Sequence, residues 1–176
     1  ERKEIAGQVH KNDKVLVMFA GVGPYSIVIA KNSKAEKVYS NEINREANKY
    51  AELNIGLNKV KDKVILLNGN IKQVANKIKH GLVINNERIQ DKFDVIVMPR
   101  PQLKDSFLKE AFSLSKTGTR IFYYDFCKEE EIEKVVDMVK SEAKRYKTKI
   151  KILKIKKAGE IAPYKYRIRV DFKVLN

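Results

Sequence analysis

Cysteine is almost absent. Cys127 is the only one among 176 residues, so no disulfide can form within the chain. A reducing, cytoplasmic setting is therefore expected. Histidine is nearly as scarce: His10 and His80 stand alone, far apart in sequence, which argues against a zinc cluster. No apolar run approaches the length of a membrane span, and no secretory signal is visible, so no membrane partner is expected. The chain begins at Glu1 without a methionine and reads as a piece of a longer protein. Acidic residues are in the minority, 22 Asp plus Glu against 37 Lys plus Arg, for a formal net charge of +15. An excess that large favours a polyanionic partner, because cations that neutralise phosphates release condensed counterions. A Lys/Glu-rich solvated surface is the alternative reading.

Apolar residues make up 43 %, enough for a globular core rather than disorder. Short apolar runs alternate with amphipathic stretches, the pattern of an α/β domain. Strands are expected over Lys14 to Phe19, Lys37 to Ser40, Val64 to Leu67, Phe93 to Met98 and Arg120 to Asp125. Helices are expected from Pro24 to Ala30, from an Asn44 cap to about Leu57, and from about Ile71 to Ile78. Two more should run from Leu103 to Leu114 and from Glu129 to Tyr146. Residues Lys79 to Lys92 are polar and break the pattern, which marks an inserted loop. Two alternating runs, Ile150 to Ile155 and Tyr166 to Val174, close the chain as an antiparallel pair. The order resembles the Rossmann-like, mostly parallel seven-stranded sheet of class I methyltransferases. Residues 1–176 read as one catalytic domain, and a monomer is expected.

The first strand runs into Phe19-Ala20-Gly21-Val22-Gly23-Pro24. Glycines there let main chain approach a ligand closely, and Pro24 suits the first helical turn. Glu42 follows the second strand, where a carboxylate can accept hydrogen bonds from both hydroxyls of a ribose. Ser26 occupies the third position of G-x-G-x-x-G, which argues against a dinucleotide and its pyrophosphate. An adenosyl ligand without phosphate fits better; a plain strand-to-helix turn is the alternative.

Met18 to Tyr25 (MFAGVGPY) resembles the "DMFAGVGPF" motif of the tRNA (guanine-37-N1)-methyltransferase family, which includes the related Met-10+ proteins and wyosine-pathway enzymes. Tyr39 to Asn44 resembles its "YAxDxNP", and Asn54 to Val60 its "NIKLNKV". Ile161 to Tyr166 with Val170 to Val174 resembles its C-terminal "YAPYKY…VDFKV". The matches span nearly the whole chain.

The resemblance implies S-adenosylmethionine (SAM) as methyl donor and N1 of guanosine 37, in the tRNA anticodon loop, as acceptor. SAM would lie against Phe19, Ala20, Gly21, Gly23, Pro24, Tyr25, Glu42, Ile43, Asn70, Ile71 and the turn after Met98. Glu1-Arg2 resembles the tail of the family's "YFSPRLxxER", whose Glu is a general base. Guanine N1 is a poor nucleophile until its proton leaves, and a carboxylate accepts that proton well only if its pKa is raised. At a free chain start the same Glu1 should be solvated and frayed.

Three positions depart from the family. Val17 replaces an acid, Asn70 replaces an Asp, and Pro99-Arg100-Pro101 replaces an "NLP" whose Asn helps bind the target guanine. Arg100 is a candidate to pair with phosphate or guanine O6 and N7, or a surface residue beside a rigid turn. A wyosine-pathway transferase and a catalytically idle RNA-binding module of the same fold stay open. Tyr124 or Phe126 could stack on a base. Lys144, Arg145, Lys147, Lys149, Lys151, Lys154, Lys156 and Lys157 form a basic run that either tracks phosphates or protects a sheet edge. Lys165, Arg167 and Arg169 share one strand face and would extend it.

Overall fold

The computed structural model describes all 176 residues. In chain order it holds α1 (Arg2–Ala6), β1 (Lys14–Val17), α2 (Pro24–Asn32), β2 (Lys37–Glu42), α3 (Arg45–Leu57), β3 (Val64–Asn68) and α4 (Ile71–Lys79). There follow β4 (Val83–Ile84), β5 (Glu87–Arg88), β6 (Phe93–Met98), α5 (Leu108–Ser113), β7 (Ser115–Lys128), α6 (Ile132–Arg145), β8 (Ile150–Ala162) and β9 (Lys165–Val174). Seven strands form one sheet in the order β3-β2-β1-β6-β7-β9-β8. Pairing is parallel through β7, and β9 runs antiparallel to both β7 and β8. This is the expected mostly parallel sheet with an antiparallel end. No helix is long and apolar enough to cross a membrane.

Side chains alternate across each strand, so one apolar run feeds two cores. Leu16, Met18, Ile96, Ile121 and Tyr123 pack with α4, α5 and α6 on one face. Val15, Val17, Val95, Val97, Phe122 and Tyr124 pack with α1 and α2 on the other. Full burial of such side chains contributes about 1.5–3 kcal/mol each before the entropy of ordering is subtracted. The aromatic run of β7 is thereby divided. Tyr123 and Tyr124 are both buried, on opposite faces.

Asn44 caps α3 as expected, accepting from the amides of Glu46 and Ala47. The small pair Ser26 and Ser40, Oγ to Oγ 2.8 Å, lets α2 lie close on β2, which accounts for a serine at the third glycine position. Three expectations need correction. The polar insertion over 79–92 carries a two-stranded hairpin, β4 with β5, across Asn85-Asn86, both with positive φ. Asparagine tolerates that conformation because its short side chain bonds locally. The helix expected from Leu103 forms only at Leu108, because Phe107 has φ 58° and the stretch before it is held by Arg100. Finally, β7, β8 and β9 extend further than their apolar cores suggested, since the antiparallel pairing carries polar residues along with it.

Candidate active site

The glycine turn sits at the C-terminal end of β1, where open α/β sheets bind ligands. Gly21 and Gly23 have φ of 56° and 85°, conformations that side chains with a Cβ rarely adopt. Their surroundings differ. A Cβ on Gly23 would meet Ile27 at 3.5 Å and Ala51 at 3.7 Å, whereas one on Gly21 would project into open space. Gly21 is thus the residue that leaves bare main chain beside the crevice. Asn54, from the "NIGLNKV" stretch, donates to the Val22 carbonyl at 3.1 Å and fixes the turn from α3.

Glu42 points at the turn. Its Oε2 accepts from the Gly21 amide and its Oε1 from the Asn44 amide, each at 2.8 Å. Each carboxylate oxygen keeps a further lone pair, so both remain able to accept from a diol. Ile43, next in sequence, is 61 % exposed, an apolar side chain left in water beside the crevice. Asn48 ties the end of β2 to α3 through the carbonyls of Glu42 and Asn44, 3.0 Å each. Asn41 reaches across to the Leu67 and Gly69 carbonyls and holds the ends of β2 and β3 together.

The other expected contacts fall into two groups. Phe19, Ala20, Pro24, Asn70 and Pro99 lie at strand ends or helix starts around the crevice, and Asn70 also caps α4 through the Lys72 amide. Ile71, Met98 and Tyr25 lie there in sequence, but their side chains are buried in the core. Only their main chain is available to a ligand. Phe19 has φ 57°, strained for an aromatic residue, and its ring meets that of Phe107, also left-handed, edge-on at 5.0 Å. That contact joins the glycine turn to the loop after β6. Open clefts flank the crevice. One cavity of about 380 Å³ borders Ile43, Arg45 and Gly69; another of about 570 Å³ lies under the loop after β6, beside Lys72 and Arg100.

Arg100 is 2 % exposed and is neither a surface residue nor a free guanine reader. Its Nη1 donates to Asp125 at 2.7 Å, and its Nη2 to the carbonyls of Leu103 at 2.5 Å and Asp105 at 2.8 Å. Tyr123 completes the arrangement with a 2.9 Å bond to Asp125. The guanidinium folds the loop back on the sheet, with Asp125 as its counter-ion.

Glu1 is not frayed. Helix α1 packs on α2 and carries Glu1 and Glu4 onto β8 and β9. The Glu1 carboxylate accepts from Tyr124 at 2.9 Å and Arg169 at 2.8 Å, and pairs with Lys156 at 2.5 Å. Burial alone would push this carboxyl up, but the hydrogen bonds from Lys156 and Tyr124 and the charge of Arg169 outweigh it and hold it below the ordinary glutamate value. The raised value expected of a general base is therefore absent in this arrangement. Arg169, fully buried, donates from Nε to Asp171 at 2.6 Å and from Nη2 to Glu4 at 2.8 Å. It belongs to this network and not to a basic surface. The signal was an Arg and an Asp two apart on one strand face, within Arg169-Val170-Asp171.

The basic run likewise divides. Lys154 and Lys156 pair with Glu4 and Glu1, and Lys157 with Glu129. Lys147, Lys149 and Lys151 are exposed and make no ion pair. Cys127 is buried, and burial pushes its thiol up, which suits an inert residue.

The network carries a pH prediction. Hydrogen bonds from Arg169, Lys156 and Lys154 hold Glu4 well below the carboxylate range, and Glu1 is also lowered; outside the network, Asp94 is lowered by its bonds to Lys116 and the Lys14 amide. Groups lowered on folding stabilise above their ordinary values, and that contribution is lost as pH falls through the folded ones. Asp171 opposes the trend, since burial pushes its carboxyl up, but it is outnumbered. The thermal midpoint should hold from neutrality to roughly pH 5 and fall steadily below that. Melts that stay level down to roughly pH 3 would show that the network contributes nothing.

A seven-stranded sheet of this order, with a glycine turn after β1 and an acid at the end of β2, defines a class I SAM-dependent methyltransferase fold. The TRM5/TYW2 methyltransferase domain matches residues 1–153. The chain belongs to the TRM5/TYW2 methyltransferase family, whose members are SAM-dependent. It is 33 % identical over 179 residues to the tRNA (guanine(37)-N(1))-methyltransferase Trm5b of Pyrococcus abyssi, covering 99 % of this chain and 48 % of that protein. It is 34 % identical over 210 residues to the tRNA (guanine(37)-N(1))/4-demethylwyosine(37)-methyltransferase Taw22 of Nanoarchaeum equitans, covering 97 % of this chain and 69 % of that one. The crystal structure of Methanocaldococcus jannaschii TYW2 in complex with AdoMet superposes with a TM-score of 0.83 at 28 % identity, over 99 % of this chain and 74 % of that one. The chain thus spans about half the length of Trm5b.

Proposed function

We propose that residues 1–176 are the catalytic domain of a tRNA methyltransferase that takes SAM and methylates N1 of guanosine 37 in the anticodon loop. The observation that carries this reading is the pairing of Gly21 with Glu42. Bare main chain and a two-acceptor carboxylate stand 2.8 Å apart, with an exposed Ile43 alongside. Those residues suit an adenosine: Glu42 for the ribose hydroxyls, Ile43 for a face of the base, the Gly21 turn for close approach. Bound SAM would supply the electrophilic methyl group. Glu1 would take the N1 proton. The ion pairs keep it ionised and therefore able to accept, at the cost of low basicity. Pro99 and the loop pinned by Arg100 would form the floor under the target base.

A second reading has its own support. The similarity to Taw22, whose name covers both guanine and 4-demethylwyosine at position 37, and the Pro99-Arg100-Pro101 departure both favour a wyosine-pathway substrate. Methylation of unmodified and wyosine-precursor tRNA with labelled SAM, followed by nucleoside mass spectrometry, separates the two. The proposal expects 1-methylguanosine from unmodified tRNA, and a loss of roughly 10²–10⁴-fold in kcat for Glu1→Gln. A methylated or aminocarboxypropylated wyosine precursor as sole product would replace the guanosine assignment. Tight tRNA binding with no turnover would leave a non-catalytic RNA-binding module.

A further inference from the structure

Two tyrosines connect the glycine turn to Glu1. Tyr25, directly after Pro24, donates its hydroxyl to that of Tyr124 at 3.1 Å, with the rings edge-on at 5.9 Å. Tyr124 donates onward to Glu1 Oε2 at 2.9 Å. Tyr124 is fully buried and stands on β7 beneath the same face that α1 covers. A fully buried ring whose hydroxyl is bonded to Tyr25 and Glu1 offers nothing to a stacking base, so the structure gives Tyr124 a different task from the stacking expected of it.

We infer that Tyr124 is a positioning residue for methyl transfer: its hydroxyl aims the Glu1 carboxylate and, through Tyr25, registers it against the cofactor turn. This rests on the reading of Glu1 as proton acceptor. The two ends of the relay belong to different parts of the site. Tyr25 moves with the N-terminus of α2, which is fixed by the glycine turn. Glu1 is the N-cap residue of the short α1, which packs on α2 and is tied to β8 and β9 through side-chain bonds. Arg169 and Lys156 also hold the carboxylate, but neither touches the cofactor turn; Tyr124, bonded to both Glu1 and Tyr25, is the donor that ties the carboxylate to that turn. Lys156, one third exposed, has a flexible stem and makes a poor aiming device.

The groups facing the Glu1 carboxylate are Glu4 from α1, Tyr124 from β7, Lys154 and Lys156 from β8, and Arg169 and Asp171 from β9, with Tyr25 of α2 behind Tyr124 and Arg167 over its ring at 4.3 Å. Tyr124→Phe removes only the neutral hydroxyl, leaves every one of these charged groups in place, and keeps the ring and its packing.

The test is Tyr124→Phe in the full-length protein, with two readouts. The first is the Glu1 titration, followed by the side-chain carboxyl signal of ¹³C-labelled glutamate and assigned by its loss in Glu1→Gln. Removal of a donor to the ionised form should move the titration upward by about half to one pH unit. The second is steady-state methylation, where kcat should fall about tenfold with KM for SAM unchanged. A normal kcat in Tyr124→Phe, or a reduced one with an unmoved Glu1 titration, overturns the inference. Undiminished turnover in Glu1→Gln instead removes the proton-acceptor reading, whatever Tyr124→Phe does. A thermal midpoint close to that of the parent, expected for so small a deletion, separates positioning from loss of fold.

Discussion

Glu42→Ala is expected to weaken SAM binding by about 10²–10³-fold, the largest effect on affinity from any one residue of the crevice. Glu42 is a half-buried carboxylate whose two oxygens already hold the Gly21 and Asn44 amides. Hydrogen bonds from ribose hydroxyls to an ionised acceptor contribute about 1.5–3 kcal/mol each, and water replaces part of what is lost. Truncation also frees the Gly21 amide, so the turn loses the bond that sets its distance from β2. The cost to the fold itself should be only about 1 kcal/mol, since both amides lie near solvent. Glu42→Gln keeps one good acceptor and the side-chain length, so a loss of about tenfold is expected there. Calorimetric titration with SAM, paired with a thermal melt of the ligand-free protein, checks both parts. An Ala variant that binds within threefold of the parent would mean that adenosine does not rest on Glu42.

Why was this part of the site legible in the sequence and Arg100 not? The turn, the acid and the cap at Asn44 are local. Each follows from a few adjacent residues and the period of the flanking strands. The same holds for the five parallel strands, whose apolar runs are bounded by turn residues. The network around Glu1 brings together residues more than 150 positions apart, and nothing near Arg169 announces that a short helix at Glu1–Ala6 covers it. Alternation in Tyr166 to Val174 correctly put Lys165, Arg167 and Arg169 on one face. It did not say that this face is solvated at one end and buried at the other. The same blindness applied to Phe122 to Phe126, where a cluster in sequence is split between two cores. Resemblance carried further than pattern: it directed attention to Glu1, although its low carboxyl value and its tie to Tyr124 appear only in three dimensions.

Arg100→Ala is expected to cost about 3–5 kcal/mol of stability, because it leaves Asp125 without its cation in a mostly buried setting. The Leu103 and Asp105 carbonyls lose their only side-chain donor in the same step. The guanidinium also lies over the Tyr123 ring, 5.5 Å from its centre, so packing is lost with the charge. Arg100→Lys should recover part of the loss, since a lysine can neutralise Asp125 but lacks the fork that reaches two carbonyls at once. Arg100→Met with Asp125→Asn should be more stable than Arg100→Ala alone, because no unpaired charge remains. Denaturant unfolding measures each difference. The functional consequence follows from the geometry. The loop from Pro99 to Phe107 carries Phe107 to the ring of Phe19, so its release should reduce methyl transfer while leaving SAM affinity within a few-fold. Were Arg100 instead a residue that meets RNA, its removal would leave the unfolding curve unchanged and raise only the KM for tRNA. That result would return it to the pairing with phosphate or guanine expected of it from the sequence.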